Sequence, residues 1–192
     1  NAILPGEGDL SSQITEFFRT LSDVEASPGD LAPRAAAIER GNGLANAFNV
    51  TAFVLRDLET QISGTIDQEV NEVNRLVESL ASVNGKLRSS NLGGSPPNAL
   101  MDERDRLISE ISQKARITVN YSPRFDVNIR LGEHSTGPVL LDGETAYKIQ
   151  PVHGDENGVS YKIGSSRVVK TLDDGGLKGL STALSVIQDT HS

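Results

Sequence analysis

Phe48 to Leu87 reads FNVTAFVLRDLETQISGTIDQEVNEVNRLVESLASVNGKL, and two interleaved series advance through it in steps of seven. One is Phe48, Leu55, Ile62, Glu69, Leu76, Val83; the other is Ala52, Glu59, Ile66, Val73, Leu80, Leu87. A seven-residue apolar repeat puts its members on one side of an α-helix, so the stretch predicts a helical seam about six repeats long. At 1.5 Å per residue, some 40 helical residues span roughly 60 Å. The expected seam residues are Phe48, Leu55, Ile62, Ile66, Val73, Leu76, Leu80, Val83 and Leu87. Glu59 and Glu69 interrupt it, while Leu58, Val70 and Val77 widen the apolar stripe. A wide stripe suits a helix touching two neighbours in a bundle better than a two-stranded zipper.

Upstream, no proline follows Pro33 until well past Leu87, and Pro33 suits a helix's first turn. The expected helix therefore runs over about 34–88. Gly41, Gly43 and Gly64 each cost about 1 kcal/mol against Ala in a helix interior. Gly41-Asn42-Gly43 is the expected kink or break. An earlier helix is predicted over about 10–25, because Ile14, Phe17, Phe18, Leu21 and Val24 recur at helical spacing. Asp9 or Ser11 can cap its start, and Ser27-Pro28-Gly29-Asp30 ends it.

Downstream, the loop Ser89 to Gly94 leads into Ser95-Pro96-Pro97-Asn98, a cap and first turn for a helix over about 97–115. Leu100, Leu107, Ile108, Ile111 and Ala115 form its apolar face. Arg106 is spaced to pair with Asp102 and with Glu110. The short connection predicts that this helix folds back antiparallel on the long one. After Ala115 the period changes to two. Ile117–Tyr121 and Phe125–Leu131 alternate as half-buried strands, with further strands expected at Val139–Leu141, Tyr147–Gln150, Ser160–Ile163 and Arg167–Lys170. Turn signals separate them at Gly132-Glu133, Asp142-Gly143, Asn157-Gly158 and Gly164-Ser165. Leu177, Leu180, Leu184 and Ile187 mark a last helix.

The expected fold is α+β and mainly α: a long antiparallel helical bundle or coiled-coil rod with a small antiparallel β subdomain. Its divisions are residues 1–116 (rod), 117–173 (β-rich) and 174–192 (return helix). Apolar residues at 36% and aromatics at 4% suit long helices packed along narrow stripes. The formal net charge of −8 repels phosphates and anionic lipid heads, so neither nucleic acid nor a membrane surface is an expected partner. No apolar run approaches the roughly 18 residues that cross a bilayer. The absence of Cys excludes disulfides, thiolate zinc sites and Cys nucleophiles. No signal-peptide pattern opens the chain, but Asn1 and Ala2 are compatible with an expression scar or with a start inside a longer protein, so that absence carries little weight.

Catalysis needs convergent groups, and the sequence offers few. His134, His153 and His191 lie in loop-like or terminal stretches without a second ligand at suitable spacing. Asp155-Glu156-Asn157-Gly158 lacks the alternating ligands and closing Glu of a calcium loop. Gly93-Gly94 and Gly175-Gly176 lack the context of a phosphate loop, and no G-x-S-x-G elbow occurs. Asp102, Glu103 and Asp105 alternate with Arg104 and Arg106, which reads as ion pairing. The expectation is no enzyme, no metal and no cofactor.

Leu100-Met101-Asp102-Glu103-Arg104-Asp105-Arg106-Leu107 resembles an L-x-D-x-R-D-x-L segment of the flagellar hook-associated protein 1 family. Leu100, Asp102, Arg104, Asp105 and Leu107 carry that motif. Leu44-Ala45-Asn46-Ala47-Phe48-Asn49 is similar to the family's L-A-x-x-F-N segment, and Phe17-Phe18, Leu21, Pro28 and Arg34 follow its order. Phe125 to Gly132, Pro138-Val139-Leu140 and Thr145-Ala146-Tyr147 resemble its strand region, and Gly175-Gly176-Leu177-Lys178-Gly179-Leu180 its return into helix. The likeness spans nearly the whole chain in order, although each motif alone is mainly a packing signature. Gly41-Asn42-Gly43 departs from it, where uninterrupted helix formers are expected.

The resemblance implies a central fragment lacking both terminal segments of an exported adaptor at the hook–filament junction. It implies extracellular placement in the bacterial flagellum, passage through the flagellar secretion channel, and assembly by lateral packing. The implied partners are copies of itself in a ring, the hook protein and the second junction protein, with the isolated fragment monomeric. A different reading is a soluble coiled-coil binding module that dimerises or takes a helical partner, with Glu59 and Glu69 selecting register. A wall-acting hydrolase would require two convergent carboxylates in a cleft.

Overall fold

The computed structural model describes residues 7–90, 98–134, 136–154, 159–164, 172 and 174–189. Among these residues four helices and six strands follow in the order α1 (Glu7–Ala26), α2 (Leu31–Ser90), α3 (Asn98–Lys114), β1 (Ile117–Tyr121), β2 (Val127–Leu131), β3 (Val139–Asp142), β4 (Thr145–Ala146), β5 (Ile149–His153), β6 (Val159–Ile163) and α4 (Gly176–Asp189). The fold is thus mainly α with a small antiparallel β region. Packing separates two compact units, one before and one after the Leu58–Glu59 junction inside α2. The sequence reading divided the chain by secondary-structure type instead.

In the first unit, α1 begins at Glu7, so Ser11 lies within the helix, not at its cap. Ser11 supplies its carbonyl to the Thr15 hydroxyl at 2.9 Å. The turn after Ala26 closes through Asp30 N–H to Ser27 O at 3.1 Å. Asp30 then caps α2, its Oδ1 accepting the Ala32 N–H at 3.0 Å. That cap starts α2 three residues before the expected position, with Pro33 in the first turn where its missing N–H costs nothing. The expected break at Gly41-Asn42-Gly43 does not occur; α2 is helical throughout. Gly41 has a packing reason: a Cβ there would stand 3.2 Å from Cε2 of Phe17. The glycine lets the α1 ring lie against the α2 backbone, and Glu16 and Arg40 meet at 3.9 Å beside it.

In the second unit the remainder of α2 is the spine of the core. Ile66, Val70, Val73, Val77, Leu80 and Leu87 join Leu107 and Ile111 of α3, the inward faces of β2, β3 and β6, and Leu177 and Leu184 of α4 in one buried cluster. α3 is tied antiparallel to α2, since Lys114 at its C-terminal end reaches back to Glu69 at 2.6 Å. Burial alternates along β2, with Val127, Ile129 and Leu131 inward, as a strand with one buried face requires.

The strands form two sheets, where one was expected. β1-β2-β3-β4 is an antiparallel meander and β5-β6 a separate hairpin. The break falls at Tyr147-Lys148: Tyr147 N–H still bonds Leu140 O at 2.9 Å, whereas Lys148 O accepts Gly164 N–H at 3.0 Å. The expected strand at Tyr147–Gln150 accordingly begins at Ile149. The strand expected from Phe125 begins at Val127, because Phe125 has φ 68° and turns the chain. The expected strand Arg167–Lys170 and the turn at Asn157-Gly158 lie outside the described residues, as do residues 91–94 of the expected loop and the expected cap Ser95-Pro96-Pro97; Ser89 and Ser90 end α2 instead. Gly175, at φ 100°, passes so close to α3 that a Cβ would sit 2.8 Å from Lys114 O. Only glycine permits that crossing into α4.

Candidate functional site

The expected seam divides sharply between the units. After Glu59, Ile66, Val73, Leu80 and Leu87 are fully buried, Leu76 and Val83 nearly so, and Ile62 is half-buried against the same cluster. Before it, Leu55 is buried but Phe48 is 49% exposed, so Phe48 is not a closed seam residue. The series of Ile66 and Val73, stepped back by sevens, reaches Ile38 and Leu31, which are 67% and 77% exposed. Phe53, 72% exposed, stands about 60° around the helix from Ile38, Val50 and Val54 add apolar surface further round the same stretch, and Phe18 and Leu21 add it on α1. Around Phe48–Leu55 the helix is apolar on every side, a pattern that belongs to helices surrounded by protein. This open face is the candidate functional surface, and its only chemistry is apolar contact.

The two acidic interruptions of the seam have internal partners. Glu69 takes the Lys114 ammonium, and Glu59 accepts a hydrogen bond from Gln188 Nε2 of α4 at 2.7 Å. They position α3 and α4 on α2.

The family-motif residues on α3 divide by role. Leu107 is buried and Leu100 packs against the core, while Asp102 and Asp105 are exposed. Arg104 is nearly buried. Its Nη1 donates to Phe125 O at 2.8 Å, its Nε donates to Asp105 Oδ1 at 2.8 Å, and its guanidinium carbon lies 5.0 Å from the centre of the Tyr121 ring. Arg104 therefore ties α3 to the β1–β2 turn. The expected Asp102–Arg106 pair is replaced by Glu103–Arg106 at 2.7 Å, and Arg106 also pairs with Glu110. Both spacings reach across one helical turn, and Arg106 forks between them.

Sequence reading missed Asn74 and Asn84. Asn84 is fully buried. Its Nδ2 donates to Val127 O at 2.7 Å and Gly143 O at 2.6 Å, and its Oδ1 accepts the Val127 N–H at 3.1 Å. Asn74 grips Ile149 in the same way, donating to its carbonyl at 2.9 Å and accepting its N–H at 2.8 Å. One helix thus holds both sheets by side-chain amides that imitate a neighbouring strand. Each Asn follows directly on a seam valine, Val73 or Val83. A polar residue beside an apolar series was the available signal, and it reads equally well as solvent-facing.

Among the described residues the shifted carboxyls do not have the character of a general acid. The Arg19 hydrogen bond holds the Glu16 carboxyl below the usual carboxylate range, and the Arg106 hydrogen bond does the same for Glu103. A general acid requires the opposite shift. The 520 Å³ groove holding Glu16 also contains Glu39 and Arg40, so its charges are mixed. Burial raises the Tyr161 hydroxyl, which shares a 2.7 Å hydrogen bond with Ser181. Among the described residues no group of three or more metal-ligating side chains converges, and no helix is long and apolar enough to cross a membrane.

Residues 1–191 match the family model for the flagellar hook-associated protein FlgK helical domain. Flagellar hook-associated protein 1 of Escherichia coli is 30% identical over 95% of this chain, which covers 35% of that relative. Its Salmonella typhimurium counterpart is 28% identical over the same share, with 34% of its length covered. The Bacillus subtilis protein of that name is 26% identical over 71% of the chain and 27% of its own length. The chain spans about a third of the length of the enterobacterial relatives. Those relatives are flagellar structural components, not enzymes. With residues 1–191 matched by that family model and the Arg104 tie and Gly175 crossing both lying in the segments of resemblance, this chain belongs to the flagellar hook-associated protein FlgK helical-domain family.

Proposed function

We propose that this chain is the packing body of an adaptor at the junction of flagellar hook and filament, working by lateral contact between subunits. The observation that supports this is the open apolar surface of Leu31, Ile38, Phe48 and Phe53 on a helix whose second half is closed. A structural protein that functions only in an assembly leaves such a face for its neighbours. Its neighbours are copies of itself in a ring, flanked in the full-length protein by the hook protein and the second junction protein. The site of action is outside the cell, after export by the flagellar secretion system. Residues 1–116 serve as the rod, 117–173 as an outer β element and 174–192 as the return helix. The buried seam and Arg104 serve to hold the second unit together.

The test is Phe53→Asp in the full-length protein, expressed in cells lacking their own copy. The expected outcome is a folded, exported protein that supports no filament beyond the hook. Normal filaments would overturn the lateral-packing reading.

The coiled-coil module remains as a second reading because Leu31 and Ile38 continue the seam series in the open. Light scattering on the isolated 20.5 kDa chain separates the two. The adaptor reading expects a monomer over a wide concentration range, since its face is completed by several neighbours at once. A stable dimer favours the module.

A further inference from the structure

The β1–β2 turn carries an aromatic and cationic tip that the buried core does not use. Five Phe and three Tyr are all the aromatics of the chain, and two of them, Tyr121 at 60% and Phe125 at 38% exposure, stand at this one turn. Arg124 lies between them, exposed, and forms no ion pair among the described residues. The nearby charges are already matched: Arg104 with Asp105 at 2.7 Å, and Arg88 with Asp126 at 3.9 Å. Among the described residues Arg124 is therefore a cation without an acidic partner, on a chain of net charge −8.

The turn is also rigid. Phe125 is held at φ 68°, a conformation rare for an aromatic residue and kept only where surrounding contacts impose it. Those contacts are the buried Arg104, which donates to the Phe125 carbonyl, and Ser122, whose N–H bonds Asp126 O at 2.9 Å and whose carbonyl accepts the Phe125 N–H at 3.0 Å. Tyr, Phe and Arg on a fixed backbone have the composition of interface hot spots, and preorganisation lowers the entropic cost of binding.

We propose that the Tyr121-Arg124-Phe125 tip is a docking point for the acidic surface of a second copy of this chain. Charge complementarity selects that occupant: the tip is a cation on a molecule whose own surface is predominantly anionic. Tip-to-body contact joins two different surfaces, so it is heterologous and propagates around a ring instead of closing a two-fold dimer. The inference rests on the lateral-packing reading above but uses residues other than those of the apolar face.

The test places the photo-crosslinking residue p-benzoylphenylalanine at Tyr121 or at Phe53 of the full-length protein assembled on hooks. The Tyr121 probe is expected to give a covalent dimer of this protein, with the cross-linked peptide of the second copy rich in Asp and Glu. Arg124→Glu is expected to cut that yield at least tenfold while leaving the Phe53 cross-link unchanged. A Tyr121 probe that captures only a different flagellar protein, or nothing, while Phe53 still captures a second copy, overturns the tip and spares lateral packing. Failure of both probes overturns both.

Discussion

The two halves of α2 share a period and differ in fate. In Glu59–Ser90 the seven-residue series ends in four residues of zero exposure, Ile66, Val73, Leu80 and Leu87. In Leu31–Leu58 the same series shows Leu31 and Ile38 to water. The difference lies in what packs on each. The second half meets α3, both sheets and α4, and polar bonds from Glu59, Glu69, Asn74 and Asn84 fix those partners in place. Within its own unit the first half meets α1 through Phe17 at Gly41; Ala37 is buried but Phe48 is half open. Periodicity thus specifies a stripe and its angular position. Whether the stripe is covered depends on long-range partners that no local pattern records.

The sharpest way to break this comparison is to put the same charge on each half. Leu80→Asp places a carboxylate in a site with no partner and should cost several kcal/mol, enough to unfold the second unit. Ile38→Asp should change stability by no more than about 0.5 kcal/mol, as exposed substitutions do. Thermal unfolding followed by circular dichroism reads both. Similar losses in the two variants would mean that the first half is closed as well.

Next in size is the amide clamp. Asn84→Ala removes three hydrogen bonds at a fully buried position and leaves Val127 N–H and Gly143 C=O without that partner. The expected loss is about 3 kcal/mol in urea unfolding. Asn74→Ala, at a half-buried site with two bonds, should cost about 1–2 kcal/mol. A loss below about 0.5 kcal/mol for Asn84→Ala would show that apolar packing alone holds the meander on α2.

What sequence could and could not announce follows the same division. Helices and strands were legible because they rest on local period, caps and turn residues: Pro33 near a helix start, Gly175 before α4, alternation in β2. Their bounds shifted where a side chain intervened, as when Asp30 capped α2 early or Phe125 took a left-handed backbone. Gly41 misled because its cost in a helix is local and its reason, the Phe17 ring, sits in another helix. Asn74 and Asn84 were illegible for the same cause, since their partners lie 75 and 43 residues away. Likewise, Arg104 read as one charge in an ion-paired run, and only the fold brings Tyr121 and the Phe125 carbonyl to it.

Two glycines sharpen the contrast between the halves. Gly64 has nothing within 4 Å of where a Cβ would stand. Gly64→Ala should therefore stabilise the second unit by about 1 kcal/mol through helix propensity. Gly41→Ala meets the Phe17 ring at 3.2 Å, so the ring must move by a few tenths of an ångström and most of that gain should vanish. Denaturant midpoints of the two variants compare them directly. An equal gain at both sites would mean that α1 does not hold its place on α2.

The smallest effect belongs to Tyr161, inside the closed region. Burial raises its hydroxyl above the ordinary value of 10.0. Between pH 10 and that higher value the unfolded chain releases a proton that the folded chain keeps, so folding loses stability as pH rises. Below pH 10 both states are protonated and the full contribution is present. Tyr161→Phe loses the bond to Ser181 and should be about 1 kcal/mol less stable at pH 8. It lacks the ionisation, so the gap to the parent should narrow as pH climbs past 10. Tyr121 and Tyr147 are common to both proteins, and the difference between the two curves isolates Tyr161. Urea unfolding from pH 8 to 11 measures it; a gap that stays constant with pH would place the hydroxyl in contact with water and open the core at β6.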